Sequence, residues 1–497
     1  MSFDTLRRVS KYLATPPVEH KGPPNKHRRS YDAAKANRFA VSWAMSVLSE
    51  DQALKGNIMA LKARAIELSH NDAYMRKFIT MVVTNVVGPK GVKFQCQARD
   101  DNGKLDKGAN AKIEAAWAGW GALGNCDTTT KHTWRSLQKL IMKTMAREGE
   151  VLIRRVVTTD NGYGLRLQLI DAAHLDDRLN EDRPDGSKIR MGVEMDAWGR
   201  PVKYHLRKKH PGDNSLYVNT GSDVEVIPAS EIIHLQIIDF ITQSRPAPWA
   251  SGIMNNLKQL HGYEESEIIA ARLGACKGGF YTQNEDSVEL NDEEDSDGSF
   301  IQDVEPGTFE KLPSGWDFKP FDPQHPNSSF GNFIKHVLRG IAAGFGISYN
   351  TLANDLEAVN YSSIRAGKLE ERDFWEDLQV WFTEHFCTPV FNWWLPLAML
   401  NGAVALPMTK IAKFNAPVWR PRGWAWVDPE KEMVGNQMAL QTGITSLDDV
   451  IQNQGEDPEE VMQRIKASRE RLAEYGLEDI DALIYGVKTN APSRPPS

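Results

Sequence analysis

Apolar and polar positions along this chain follow two rhythms. From residue 31 to 87 the spacing is helical, in about three segments. Leu61, Ala65 and Leu68 share a face, and Asn71-Asp72 supplies a helix start before AYMRKFITMVVTNVV. Gly88-Pro89 ends that run. A strand, VKFQCQA, comes next, then an amphipathic helix through Trp117 and Trp120 and another from Thr133. Gly149 stops the latter before the strand VLIRRVV. Residues 164–238 change to short strand-like pieces: GLRLQLI, RMGVEMD, VKYHL and EIIHLQII, with a turn at Ala197-Trp198-Gly199-Arg200-Pro201. Strands this short, joined by turns, are expected to pair antiparallel.

The helical rhythm returns after Pro248. Residues 250–273 carry no proline and predict one long helix of about 36 Å. Gly274, Gly278 and Gly279 close it, and β-like pieces (GGFYT, TFEKL, WDFKPF) follow among Pro306, Pro313, Pro320 and Pro323. A second helix spans Phe330–Phe345, with Ile334, Val337, Leu338, Ile341 and Phe345 on one stripe. Next come a polar loop, SYNTLANDLEAVNYSS, and a third helix from Ile364 towards His385, whose Phe and Trp residues are expected in the core. Thr445-Ser446-Leu447-Asp448 and Asp457-Pro458-Glu459-Glu460 are helix starts, the second leading a charged helix to about Leu472. The sum is an α+β chain.

With 497 residues, 41% hydrophobic and 25% charged, the chain should form roughly three structural units of ordinary soluble composition. Lys+Arg 59 against Asp+Glu 66 gives a net charge of −7, which argues against tight neutralisation of nucleic-acid phosphates. The charge is segregated. The first forty residues hold nine basic against three acidic side chains, and Pro16, Pro17, Pro23 and Pro24 keep that arm extended. It is either a solvated tail or a contact for nucleic acid or an acidic neighbour. At the other extreme, Glu285, Asp286, Glu289, Asp292, Glu293, Glu294, Asp295 and Asp297 form an acidic run with no basic residue.

Known chemistry is sparse. Cys96, Cys126, Cys276 and Cys387 show no CxxC spacing, and the start MSFDTLRRVSKYLATPP has no apolar signal core, so structural thiols in a reducing cytoplasm are expected. The most apolar stretch, residues 389–407, is interrupted by Asn392, Pro396 and Asn401 and predicts no membrane span. Gly88-Pro89-Lys90-Gly91 lacks P-loop spacing, and no HExxH, GxSxG or GxGxxG occurs. His205 and His210 have no ligand-spaced partner. His385 and Cys387, two apart on a helix, do not face each other. No catalytic residue, metal or cofactor is predicted, though composition leaves a metal-dependent nuclease or a monomeric adaptor open.

An ordered series of short segments adds to this reading. It comprises Asn85-Val86-Val87-Gly88, Glu148-Gly149-Glu150, Leu167-Gln168-Leu169-Ile170-Asp171, GVEMDAWGRPVKYH from Gly192, IPASEIIHL from Ile227, Asn360-Tyr361-Ser362-Ser363-Ile364-Arg365-Ala366-Gly367 and Arg422-Gly423-Trp424-Ala425-Trp426-Val427-Asp428-Pro429. With these segments in that order, the chain resembles the lambda-type portal proteins of tailed bacteriophages over about residues 30–475.

The resemblance implies a non-enzymatic ring, typically of twelve copies, at one procapsid vertex. It would be assembled in the host cytoplasm and retained in the virion as the head–tail connector. Double-stranded DNA would pass through it, without sequence specificity, in genome packaging and ejection. Its implied partners are the terminase large subunit, the major capsid protein or scaffold, and a head-completion protein, with no membrane. By that likeness residues 1–30 are a flexible arm, 31–248 an α/β wing, 249–274 and 329–347 stem helices, and 275–328 a small β-containing clip bearing the acidic loop 285–297. Residues 348–388 form the channel loop and its following helix, 389–444 return to the wing, 445–488 make a helical crown, and 489–497 are a disordered tail. Asn354, Asp355, Glu357, Asn360 and Tyr361 would meet DNA. Two departures stand out: the acidic run lengthens the clip-like insertion, and Gln243-Ser244-Arg245-Pro246-Ala247-Pro248-Trp249 lacks the glycine expected before the stem. Physically, a pore that passes a polyanion must not grip it, so an acidic or neutral lining is expected and the net −7 is no obstacle.

Overall fold

The computed structural model describes residues 47–213, 223–275, 279–283, 316–320, 330–357, 361–424 and 429–476. The basic arm at 1–30, the acidic run at 285–297, Asn360 and the tail at 489–497 lie outside them.

Helices α1 (Glu50–Leu54), α2 (Ile58–Asn71) and α3 (Ala73–Val82) come first. Asp72 caps α3 as expected, accepting a hydrogen bond from the Met75 amide and so satisfying one of the orphan donors of the first turn. A π turn, Val83–Val87, ends the run at Gly88. Strand β1 (Lys93–Cys96) and helices α4 (Lys107–Trp120) and α5 (Trp134–Glu148) follow. Thr133 and Ser136 cap α5 reciprocally.

Strand β2 (Glu150–Val157) lies between β3 (Leu165–Ile170) and β9 (Ile232–Gln236), so that Leu152 faces Ile170 on one side and His234 on the other. A meander of β4 (Glu181–Asp182), β5 (Lys188–Arg190), β6 (Val193–Met195), β7 (Pro201–Arg207) and β8 (Val224–Pro228) makes a second sheet. The pairings within both sheets are antiparallel, as the short strands predicted.

Helix α6 (Met254–Ala275) leads to the hairpin β10 (Gly279–Gln283) and β11 (Trp316–Pro320) and back through α7 (Phe330–Phe345). The polar loop is shorter than predicted. One helical turn, α8 (Tyr349–Ala353), occupies its start, and α9 (Tyr361–Phe382) begins ahead of Ile364. A π turn (Thr383–Cys387) carries α9 directly into α10 (Thr388–Leu400), which holds Pro396 within it. After α11 (Ile411–Phe414), β12 (Pro417–Arg420) returns to pair with β1. The last helices are α12 (Pro429–Thr442), α13 (Leu447–Asn453, capped by Ser446) and α14 (Pro458–Glu474, capped by Asp457). The sequence reading missed α12, because it buries no residue and so shows no apolar face. The α13–α14 turn sits backbone to backbone on the chain after β12. A Cβ on Gly423 would lie 2.3 Å from the Gln454 carbonyl carbon, so only glycine fits there.

The main core centres on Trp117, whose ring lies 4.7–5.7 Å from those of Trp120, Trp134, Trp394, Trp419, Phe94 and Phe391. Such edge and tilted contacts each add about 0.5–1.5 kcal/mol beyond burial. The aromatic residues of the third predicted helix enter this core: Trp375, Phe382 and Phe386 are buried.

Beneath it lies a buried charge cluster. Glu150 is fully buried and meets Arg245 (2.7 Å), Lys62 (2.8 Å) and His234 (2.7 Å), all at most 3% exposed. Arg245 also donates to the carbonyls of Met191 and Ala172. Next door, the Ser244 amide donates to buried Asp51 (2.8 Å). Gly149 (φ 84) permits the approach: a Cβ there would lie 2.6 Å from the Ala247 oxygen. The segment before α6 that lacks a glycine is therefore held by charge. Burial alone would raise the Glu150 carboxyl, but Arg245 and Lys62 outweigh it and hold the group well below the usual carboxylate range. Burial pushes the His234 imidazole down, against the pull of Glu150.

Two outcomes follow from this cluster. Arg245→Met, which leaves a buried carboxylate undercompensated, should lower unfolding stability by about 3–5 kcal/mol in urea denaturation. Because the folded-state value of Glu150 is depressed, its contribution is complete above the unfolded carboxylate value of about 4.3 and is lost as pH falls below it. The urea midpoint should therefore drop further on acidification for the wild type than for Glu150→Gln.

Candidate functional site

Helix α7 has two faces. Leu338, Ile341, Ala342 and Phe345 are buried, and Phe345 stacks on Phe78 of α3 with centroids 3.9 Å apart. Lys335 lies off that stripe, and its ammonium reaches the middle of the polar loop, at Asp355 and Glu357. Gly346 (φ 72) ends the helix, and Ser348 precedes the single turn α8. The Ser348 and Thr351 hydroxyls both donate to one oxygen of Glu371 on α9 (2.8 and 3.1 Å). Glu371 is only 9% exposed, so these bonds satisfy a carboxylate largely removed from water.

Three of the five predicted loop residues come together here. Asn354 takes up a left-handed conformation (φ 54), and its side-chain oxygen accepts from Lys77 of α3 (3.0 Å). Asp355 accepts from the Tyr349 hydroxyl (2.7 Å) and from the Glu357 amide (2.9 Å). Lys335 lies 3.3 Å from Asp355 and 2.8 Å from Glu357. Tyr361 is the first residue of α9. Asn360 and the eight acidic residues of 285–297 lie outside the described residues.

These contacts shift titration in the expected directions. The Tyr349 hydroxyl, then the Glu357 amide, then Lys335 hold the Asp355 carboxyl below its ordinary value. Burial and the neighbouring Asp355 raise the Tyr349 phenol. The bonds to Glu357 and Asp355 raise the Lys335 ammonium. With one cation against two carboxylates, the Lys335–Asp355–Glu357 trio carries −1. It holds no nucleophile paired with a base. Among the described residues, no group of three or more His, Cys, Asp or Glu is placed to hold a metal ion, and no helix is long and apolar enough to cross a membrane. The sequence reading missed Lys335, Lys77, Tyr349 and Glu371. Each is an ordinary polar position on a helix, and only the folding of α3, α7 and α9 around the loop makes them partners.

The quoted sequence segments also meet in space. Arg422 donates to the Thr84 carbonyl (2.8 Å), and Trp424 to the Asn85 side chain (3.3 Å). Gln379 of α9 bridges the Asn85 and Arg422 carbonyls (2.7 and 3.0 Å). Glu150 and His234, from two further segments, share the buried cluster.

Residues 36–379 match the family of phage portal proteins of the lambda type. The chain belongs to that family. It is similar to a probable portal protein of Halomonas phage phiHAP-1, 34% identical over 456 residues that cover 90% of this chain and 88% of that one. It is also similar to portal protein B of Escherichia phage lambda, 20% identical over 481 residues, 87% of each chain. Among solved structures it is similar to a chain in the neck of a native gene transfer agent particle with C12 symmetry. That likeness has 12% identity and a TM-score of 0.41, and covers 79% of this chain and 94% of the other. The protein is thus a portal protein of a phage head, structural and not enzymatic.

In this portal protein the left-handed residue at 354 is a sensitive point of the loop. An L-residue with a branched side chain costs roughly 1–2 kcal/mol in that conformation, whereas glycine adopts it freely. Asn354→Val should speed amide hydrogen exchange across residues 349–357, and Asn354→Gly should leave it near wild type.

Proposed function

We propose that the chain assembles into a ring, of twelve copies by the family likeness, at one vertex of the procapsid. The ring is the conduit for genome packaging and ejection. In this reading residues 31–248 and part of 389–444 are the wing, α6 and α7 the stem, 275–328 the clip where the terminase large subunit docks, and 445–488 the crown. Head-completion protein attaches below, capsid protein or scaffold surrounds the wing, and the ring forms in the host cytoplasm before becoming part of the virion.

The observation that carries the reading is the loop after α7. Two helices that bury apolar stripes are joined by a short segment of hydroxyls, amides and carboxylates whose charged trio is net negative. That lining lets a polyanion slide, because the ammonium it holds is already compensated and has little capacity to displace counterions. A second observation supports the ring. Ile268 and Ile269 on α6, Phe333 on α7, and Leu369 and Val380 on α9 are exposed by 44–60%. Large apolar side chains on several long helices are what neighbouring copies would cover.

Deletion of residues 352–360 should leave rings visible by negative-stain microscopy yet abolish DNA packaging. Full packaging by that variant would remove the loop from the conduit. A species that stays at the 55.8 kDa monomer mass in light scattering under all conditions would remove the ring.

A further inference from the structure

The loop was expected to lack positive charge, yet Lys335 brings an ammonium to it from α7. An exposed lysine in a DNA conduit is a liability: every phosphate it neutralises releases counterions and adds affinity, and the effect multiplies with the number of copies. The geometry around Lys335 removes that liability. An ammonium has three donors. Here one meets the Asp355 carboxylate at 3.3 Å and another the Glu357 carboxylate at 2.8 Å.

We propose that Asp355 and Glu357 act as a cap that masks Lys335 from passing phosphates, and that Lys335 in turn is the positioning residue of the loop. This rests on the reading of the loop as facing DNA. The cap is built rather than casual. Tyr349 fixes Asp355 through its hydroxyl, and Asp355 fixes Glu357 by accepting its amide, so one side chain orients both carboxylates. Glu357 is the outer member: its side chain is 80% exposed, against 34% for Lys335 and 17% for Asp355. Three other cations stand nearby without a carboxylate partner among the described residues: Lys77 donates to the neutral Asn354 side chain, Arg339 lies over the Tyr349 ring (5.4 Å), and Lys368 lines the pocket beside Thr351 and Asn354. The two carboxylates serve mainly to neutralise Lys335, and their repulsion of DNA is secondary.

The test uses the full-length protein and a fluorescent duplex of random sequence, with binding followed across a salt series. The double variant Asp355→Asn/Glu357→Gln should bind more tightly than wild type. Its log–log salt slope should steepen by about 0.9 for each further phosphate neutralised. Adding Lys335→Met should return both quantities to wild type. If the triple variant stays as tight as the double, the carboxylates act by repulsion and the masking role is overturned, while the loop's exposure to DNA stands. If the double variant binds like wild type, the loop does not face DNA, and the proposal falls with the reading beneath it. Hydrogen exchange separates positioning from DNA contact. Lys335→Met should speed exchange at residues 349–357 alone, and Lys335→Arg should restore it. Unchanged exchange in Lys335→Met would overturn the positioning role whatever DNA does.

Discussion

A carboxylate with no access to water must be compensated in place, and the fold is arranged around that requirement at Glu150. Its partners arrive from separate parts of the chain: Lys62 from α2, His234 from β9 and Arg245 from the segment that launches α6. None of these elements can shift without stranding a buried charge. Arg245 extends the constraint through the carbonyls of Met191 and Ala172 to the chain around the meander sheet. The direction in which α6 leaves the body is consequently set by ion pairing, at a point where a glycine turn would have left it free.

Much of the local structure was legible in the residues because its causes are local. Asp72, Thr133, Ser446 and Asp457 announce helix starts by residue type alone, and each accepts the backbone amide expected of a cap. The stripe on α7 was equally plain. What could not be read depends on residues far apart in sequence. Nothing near Lys93 announces that β1 will pair with a strand at Arg420, and nothing near Lys335 announces two carboxylates about twenty positions on. Helix α12 escaped for the opposite reason: with no buried face, it leaves no periodic signal. The loop residues Asn354, Asp355 and Glu357 were picked for their polarity, and the structure adds that their polarity is already engaged within the subunit.

Charge pairing recurs where the C-terminal helices meet the body. Glu456 binds Lys90 and Lys93, and Glu459 binds Lys107, all partly or largely exposed. Such pairs contribute little singly; they are joined by the less exposed Arg420–Asp457 pair (4.0 Å) and by the close backbone contact at Gly423. The net charge of the whole chain therefore says less about its behaviour than the partner found by each group.

The π turn at Thr383–Cys387 joins two helices into one continuous element from Tyr361 to Leu400. Phe382, Phe386, Val390, Trp394 and Ala398, all fully buried, recur every four residues. In a regular α-helix each such step overshoots one turn by about 40°. The wider turn absorbs part of that drift and keeps the row against one surface. The element is about 60 Å long at 1.5 Å per residue, anchored in the tryptophan core towards its C-terminal end and held at Glu371, some way in from Tyr361, by the Ser348 and Thr351 hydroxyls. A sideways push near its Tyr361 end would be resisted as bending of this single rod, with the tryptophan core as its footing.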